Sequence, residues 1–139
     1  MASYSYKANK QNNNNQLISS KSSNKKQVNV SSQRISVPQK ELLIFFRQLA
    51  VILQSGVPLA QGISLLSENT KNKKFSFVLT NISFRLSSGD DLSLCLKKYP
   101  SLFAPITIGL IEAGEAGGIL DKVLDRIATL IEDQEKIKS

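Results

Sequence analysis

From Val37 to the end of the chain, apolar side chains recur at spacings of three and four residues in six segments, and proline or glycine separates most segments from the next. This spacing places the apolar side chains of each segment on one face of an α-helix. None of the segments shows the two-residue alternation of a half-buried strand. The pattern therefore predicts an all-α fold, a compact six-helix bundle with short turns.

The predicted helices cover about residues 38–54, 58–67, 74–87, 92–99, 105–113 and 119–136. Proline suits a first turn, where its missing N–H costs no helical hydrogen bond, and glycine suits a helix end. We expect Asp90 or Asp91 to cap the fourth helix, because a carboxylate accepts hydrogen bonds from free N–H groups. The side chains expected in the core are Leu49, Leu53, Ile63, Leu66, Leu79, Ile82, Leu124, Ile127 and Ile131.

The N-terminal part of the chain differs in composition from the rest. The chain has 18 Lys and Arg and 11 Asp and Glu, and seven of the basic residues but none of the acidic ones fall within residues 1–40. Residues 41–139 therefore carry no net charge. A leader rich in Ser, Asn, Gln and Lys buries too little apolar surface to fold. We predict a disordered basic leader over residues 1–37 and a helical domain over residues 38–139.

The composition excludes much catalytic and metal chemistry. The chain has no histidine and one cysteine, Cys95, so histidine acid–base catalysis, Cys–His pairs, internal disulfides and the common zinc sites are absent. We interpret Cys95 as a small core or half-buried residue. No apolar run approaches the roughly 18 residues that span a bilayer, and the N-terminus lacks a signal peptide. We expect an intracellular chain that has no catalytic residues and binds no cofactor.

The glycine-rich stretch of residues 113–118 is the most unusual local feature. Glycines before a helix can cradle a phosphate. However, no Gly-Lys-Ser/Thr follows, and the carboxylate of Glu115 repels an anion. A tight turn fits better, and we expect Gly114 and Gly117 to let the fifth and sixth helices approach closely.

The candidates for a hard-cation site are Glu112, Glu115 and Asp121. Their spacing matches no EF-hand loop. Glu115 and Asp121 also suit the N-terminal end of the sixth helix without any metal, because a helix N-terminus favours negative charge. We therefore predict no metal site.

Arg47 lies within an apolar segment, and the residues leave two interpretations open. Its guanidinium extends to solvent along its stem, or it pairs with an acid on a neighbouring helix. Lys71, Lys73 and Lys74 flank a turn and are typical of solvated loop charge. No predicted helix is basic enough to serve as a DNA-recognition helix, so the domain itself is not expected to bind nucleic acid.

Three motif stretches follow one another: Phe46 to Leu65, Gly89 to Phe103, and Leu110 to Ala128. In order and spacing they resemble the type II secretion F domain of GspF and PilC proteins, and the similarity runs from Leu42 to Ile131. The residues that the resemblance assigns to the family motif are Phe46, Arg47, Gln48, Gly56, Pro58, Leu59, Gly89, Leu92, Ser93, Pro100, Phe103, Gly114, Glu115, Gly117, Gly118 and Leu120.

The resemblance implies a six-helix bundle with a non-enzymatic scaffold or adaptor role. In that family the domain lies at the cytoplasmic face of the bacterial inner membrane, ahead of a transmembrane segment, in the platform of a type IV pilus or type II secretion machine. It contacts the assembly ATPase and other platform subunits, and so supports pilin or pseudopilin assembly and protein secretion. The resemblance also implies a homo-oligomer. This sequence lacks the membrane segment, so we expect a chain that is soluble alone and part of a longer membrane protein.

One alternative belongs to another class of function. A soluble helical module with a basic leader binds nucleic acid or anionic membrane through that leader. Such binding weakens steeply with salt and requires residues 1–40.

Overall fold

The computed structural model describes residues 35–138 of the chain. Within that range it contains six α-helices and no strand, so the predicted all-α six-helix bundle is confirmed. The disordered leader predicted over residues 1–37 lies mostly outside the described residues. The helices are α1 Gln39–Gln54, α2 Leu59–Asn69, α3 Lys73–Ser87, α4 Leu92–Leu96, α5 Pro105–Gly117 and α6 Leu120–Lys138.

Proline and a polar cap set the beginnings of four helices. Pro38 and Pro58 directly precede α1 and α2, and Pro105 is the first residue of α5. At these positions the missing N–H costs no helical hydrogen bond. α3 begins differently, because the side chain of Asn72 accepts a hydrogen bond of 3.1 Å from the backbone N–H of Phe75.

The ends of α1, α3 and α5 share one kind of turn. Gly56, Gly89 and Gly118 follow or nearly follow these helices with φ values of +94°, +107° and +70°. After Gly118, the N–H of Ile119 donates to the carbonyl of Gly114 at 3.0 Å, and bonds of the same kind follow the other two glycines at 3.4 and 3.1 Å. These are Schellman turns, in which the left-handed position favours glycine. The three motif glycines therefore have a structural role.

Two helix pairs form the frame of the bundle. α1 packs along α6, α2 packs against α3, and the short α4 lies against α3 and α5.

Four aromatic rings meet in the core: Phe45, Phe46, Phe75 and Phe103 are each at most 4% exposed. They form an edge-to-face series with centroid separations of 5.1, 5.5 and 6.1 Å, an arrangement that aromatic pairs prefer.

The residues expected in the core lie there with one exception. Leu53 is only partly buried and packs against the core from the last turn of α1, where the residues that follow are exposed. The buried members of the set are Leu49, Ile63, Leu66, Leu79, Ile82, Leu124, Ile127 and Ile131.

Two helix ends differ from the prediction. α5 continues to Gly117, so the expectation that it ends at Ala113 is wrong. The residues between Gly114 and Gly117 are glutamate and alanine, which favour helix, and of the three glycines in this stretch only Gly118 adopts the left-handed conformation. α4 ends at Leu96, and residues 97–99 continue in tight turns instead of a further helical turn.

The folded chain begins before the predicted boundary at residue 38. Ile35 and Val37 are 6% and 8% exposed and belong to the hydrophobic core. The hydroxyl of Ser101 donates to the carbonyl of Ile35 at 3.3 Å, which ties this segment to the loop before α5. The segment is not helical, so its two apolar residues show no helical period that would distinguish them from the leader. Residues 35–37 belong to the helical domain.

Across residues 35–138, none of the helices is both long and apolar enough to cross a membrane. The longest, α6, has 19 residues but carries charged side chains along its length.

Candidate functional site

The three motif stretches occupy different helices and meet inside the bundle. The first covers the second half of α1 and more than half of α2, the second leads from the turn after α3 through α4, and the third covers the second half of α5 and the first half of α6. Phe46 of the first stretch and Phe103 of the second pack edge to face, with ring centroids 6.1 Å apart. Both rings, and the side chain of Leu92, are 1% exposed. An aromatic contact therefore joins the first two stretches.

Arg47 joins the first stretch to the third. Its Nη1 lies 3.0 Å from Oδ1 of Asp125 and donates a second hydrogen bond of 3.4 Å to the hydroxyl of Thr129. Its Nη2 lies 3.6 Å from Oε2 of Glu132. Of the two interpretations left open by the sequence, the structure shows pairing across α1 and α6. The side chains remain 38–50% exposed, so each pair contributes at most about 1 kcal/mol to stability.

Sequence reasoning did not identify the partners of Arg47. Asp125, Thr129 and Glu132 are separated by four and three residues, which places them on one face of α6. That spacing is a signal, but it does not say which helix the face meets. The match between α1 and α6 depends on the tertiary fold.

Ser93 and Glu115 form the second polar contact, between α4 and α5. The hydroxyl of Ser93 donates to Oε1 of Glu115 at 2.5 Å, and its backbone N–H donates to Oε2 at 3.3 Å. Ser93 is 7% exposed. Because the first N–H groups of a helix have no partner within it, a carboxylate from α5 caps α4 from outside.

The expectation that Asp90 or Asp91 caps α4 is wrong. Asp91 occupies the N-cap position, but within residues 35–138 its side chain makes no capping hydrogen bond. Asp90 instead lies 3.8 Å from the guanidinium of Arg85 at the end of α3. Glu115 takes the capping role because α5 passes beside the start of α4. Nothing local to residues 90–93 in the sequence indicates this.

Gly114 marks the closest approach of α5 and α6. A Cβ atom added there would lie 2.8 Å from Cγ2 of Val123 and 3.3 Å from the backbone Cα of Leu120. Such distances leave no room for a side chain without movement of the two helices. At Gly117 the nearest atom to an added Cβ is Cγ1 of Ile119 at 3.7 Å, an ordinary contact. The close approach expected at both glycines therefore occurs at Gly114 and not at Gly117.

The remaining motif residues lie at the surface or at its edge. Pro58 directly precedes α2 and is exposed, as are Gln48 and Pro100, whereas Leu59 and Leu120 are partly buried and pack against the core.

The cation-site candidates have separate surroundings. Glu112 pairs with Nζ of Lys97 at 3.0 Å, and both carboxylate oxygens of Glu115 accept hydrogen bonds from Ser93. Asp121 lies in the first turn of α6. In the part of the chain that the structure describes, no three His, Cys, Asp or Glu side chains are grouped so as to hold a metal ion.

Cys95 lies fully buried in α4 as a free cysteine. Burial raises the pKa of this thiol, and the nearby carboxylate of Asp90 adds to the rise. Because the thiolate is the reactive form, Cys95 is a poor nucleophile at neutral pH. Its geometry fits the interpretation of a small core residue.

Several large apolar side chains are exposed, and α5 has an outward side without charge. Ile106 is 70% exposed, and Gly109, Ala113 and Ala116 are also exposed on this helix. The two acidic residues of α5 are turned towards α4, where Glu115 contacts Ser93 and Glu112 pairs with Lys97, the residue that follows α4. An uncharged apolar helix side is typical of a protein-binding surface. The large exposed apolar residues are Ile44, Val51, Leu65, Phe77, Phe84, Leu94, Ile106, Ile119 and Ile137.

The known proteins to which this chain is similar are named for type II secretion and type IV pilus assembly. Residues 45–139 match the family described as type II secretion system (T2SS), protein F. A type IV pilus assembly protein PilC from Myxococcus xanthus is 38% identical over 103 residues, which is 74% of this chain and 25% of that protein. A PilC from Pseudomonas aeruginosa is 32% identical, over 83% of this chain and 31% of that protein.

A relative with a different name is similar to a comparable share of this chain. A type II secretion system protein F from Vibrio cholerae is 33% identical over 76% of this chain and 25% of that protein. The chain thus spans about a quarter to a third of the length of these relatives.

Proposed function

We propose that this chain, which belongs to the type II secretion system protein F family, is a scaffold domain of a machine that assembles pili or secretes proteins. Its task is to hold partner proteins in a fixed arrangement, without catalysis. The observation that carries this proposal is the match of residues 45–139 to the family. Its relatives are named for type IV pilus assembly and for type II secretion.

The use of the polar motif residues supports a structural role. Arg47 pairs with two acids on α6, and Glu115 caps α4 through Ser93. Each of these side chains is engaged by a neighbouring helix. Catalytic groups instead converge on a space where a substrate can bind. The motif therefore encodes the bundle, and other surfaces carry the binding.

The outward side of α5 is our candidate for the partner surface. Ile106 is 70% exposed beside Gly109, where an added Cβ would meet no described atom within 4 Å. The adjacent Ala113 and Ala116 extend this uncharged strip along the helix. A partner helix that covers the strip buries apolar surface without desolvating a charge.

The partners we propose are the assembly ATPase of the machine and its other inner-membrane platform subunits. We further propose that the domain lies on the cytoplasmic face of the membrane, within a longer membrane protein and in more than one copy. We propose that residues 35–138 carry this role without the basic leader.

Binding to the assembly ATPase of the same organism tests the proposal. The full 139-residue chain is immobilised, and purified ATPase is titrated over it at two salt concentrations. We expect saturable binding that Ile106→Lys weakens by about tenfold or more, as for a central interface residue. The matched control is Val51→Lys on α1, which is 59% exposed and should leave the affinity within about twofold.

Three results would contradict the proposal. No binding would remove the ATPase as a partner, and equal losses for both variants would remove the α5 surface. Binding that disappears at high salt, and that at low salt requires residues 1–34, would favour the leader as a nucleic-acid or membrane anchor.

A further inference from the structure

A cleft of about 240 Å³ lies where α1, the end of α2 and the start of α3 meet. Its lining includes the rings of Phe45 and Phe75, whose centroids are 5.5 Å apart, and the side chain of Leu66. Ile44 also lines the cleft and is 46% exposed. The volume is below that of a drug or nucleotide pocket, and it suits one or two side chains of another protein.

A glutamate whose carboxylate has one oxygen without a hydrogen-bond partner lines the same cleft. Oε2 of Glu41 is buried from solvent and has no hydrogen-bond partner among residues 35–138. A buried oxygen that has lost its water contacts without gaining a partner is destabilising. The first turn of α1 favours a negative charge at this position, which helps to explain why the carboxylate is tolerated. It supplies no hydrogen bond to that oxygen.

Glu41 differs in this respect from other acids of the bundle. Asp125, Glu112 and Glu115 each have a partner at 3.0 Å or less. The residue that precedes Glu41, Lys40, lines a separate cleft with Glu132. Because Glu41 lines the cleft, its carboxylate is in position to pair with a group that enters the cleft from outside the domain.

We propose that this cleft binds a lysine or arginine side chain of a partner protein. The cation pairs with the carboxylate of Glu41, whose charge is shared by both oxygens, and an adjacent apolar side chain of the partner covers Ile44. Lys71 lines the cleft as well and is exposed. Its ammonium repels a second positive charge, so the docking segment carries one basic residue next to an apolar one.

This inference deepens the proposed function, because it supplies a second contact for the partner proteins, and in that sense it rests on the scaffold role. The cleft and the outward side of α5 involve different residues. The cleft can therefore be measured with short peptides that need no ATPase, so failure of one proposal is distinguishable from failure of the other.

The test is a titration of the ¹⁵N-labelled full chain with acetyl-Leu-Arg-amide, followed by NMR. We expect saturable shifts in the amide signals of Glu41, Ile44, Thr70 and Lys71. Acetyl-Leu-Gln-amide, which lacks the charge, should bind about tenfold more weakly, as for the loss of a charge-assisted pair. Acetyl-Leu-Glu-amide should give no saturable shifts at these positions.

The matched variants separate the cleft from general surface charge. Glu41→Gln keeps the shape of the side chain and should lower the affinity for the arginine peptide by about tenfold. Glu68→Gln removes an exposed acid of α2 and should leave binding unchanged. The three-peptide comparison on the unmodified chain gives an answer even if Glu41→Gln folds poorly. Equal binding of the arginine and glutamine peptides, tighter binding of the glutamate peptide, or shifts outside the cleft would overturn the proposal.

Discussion

The α1–α6 interface and the α4–α5 junction hold their helices by different means. α1 and α6 have 16 and 19 residues and bury Phe46, Leu49, Leu124 and Ile127 to 1% exposure or less. The Arg47 pairs lie at the edge of this interface and are partly exposed. α4 has five residues, which is far too short for an independent helix.

The difference shows where a single polar contact matters. A long interface derives its stability from buried apolar area, and an added surface ion pair changes it little. At the α4–α5 junction, Glu115 accepts hydrogen bonds from the backbone N–H and the hydroxyl of Ser93, and without Glu115 these two donors would lose their partner in a partly buried position. We therefore expect mutations of polar residues to be more costly at the junction than at the long interface.

The largest expected effect is loss of a core side chain in the long interface. Leu124→Ala removes a fully buried side chain and should lower the free energy of unfolding by about 2–5 kcal/mol. Leu94→Ala, in α4, removes a leucine that is 48% exposed and should cost under about 1 kcal/mol. Chemical denaturation of both variants measures the difference. Similar losses for the two would show that burial does not distinguish these regions.

An intermediate effect is expected where α5 meets α6. Gly114→Ala places a Cβ 2.8 Å from Val123 and should destabilise the domain by about 1–3 kcal/mol. Gly117→Ala has room and removes a flexible helical glycine, so it should be neutral or stabilising by up to about 1 kcal/mol. Thermal melting of the pair checks the opposite signs. A melting temperature of Gly117→Ala below that of the unmodified chain would indicate that α5 and α6 also approach closely at Gly117.

The smallest effect is expected for the ion pairs of Arg47. Arg47→Gln should lower the free energy of unfolding by about 1 kcal/mol or less, because the pairs are exposed. The difference from the unmodified chain should shrink in about 1 M salt, where exposed charges are screened. Denaturation at low and high salt measures it. A loss of several kcal/mol that is insensitive to salt would assign this cluster a buried, structural role.

The helical period and the Pro and Gly positions were enough to predict six helices, because both are local properties of the chain. Local sequence patterns did not predict burial that depends on residues distant in the sequence. Ile35 and Val37 are buried by the rest of the bundle without any helical period, whereas the greater length of α5 has a local cause, the helix formers between Gly114 and Gly118.

The candidate site was predictable as a set of positions but not as a set of contacts. The motif named Arg47, Ser93 and Glu115, yet Arg47 meets Asp125 from 78 residues away, and Ser93 meets Glu115 from 22. Which helix faces which is decided by packing of the whole bundle. The sequence therefore identified the residues while the fold assigned their partners.

A double-mutant cycle on Ser93 and Glu115 tests whether Glu115 caps α4. Unfolding free energies are measured for Ser93→Ala, Glu115→Gln and the double variant, and a parallel cycle on Lys97 and Glu112 serves as the exposed control. We predict a coupling of about 1 kcal/mol or more for Ser93 and Glu115, and about 0.5 kcal/mol or less for the control. Equal coupling in the two cycles would contradict the claim that Glu115 caps α4 and holds the second and third motif stretches together.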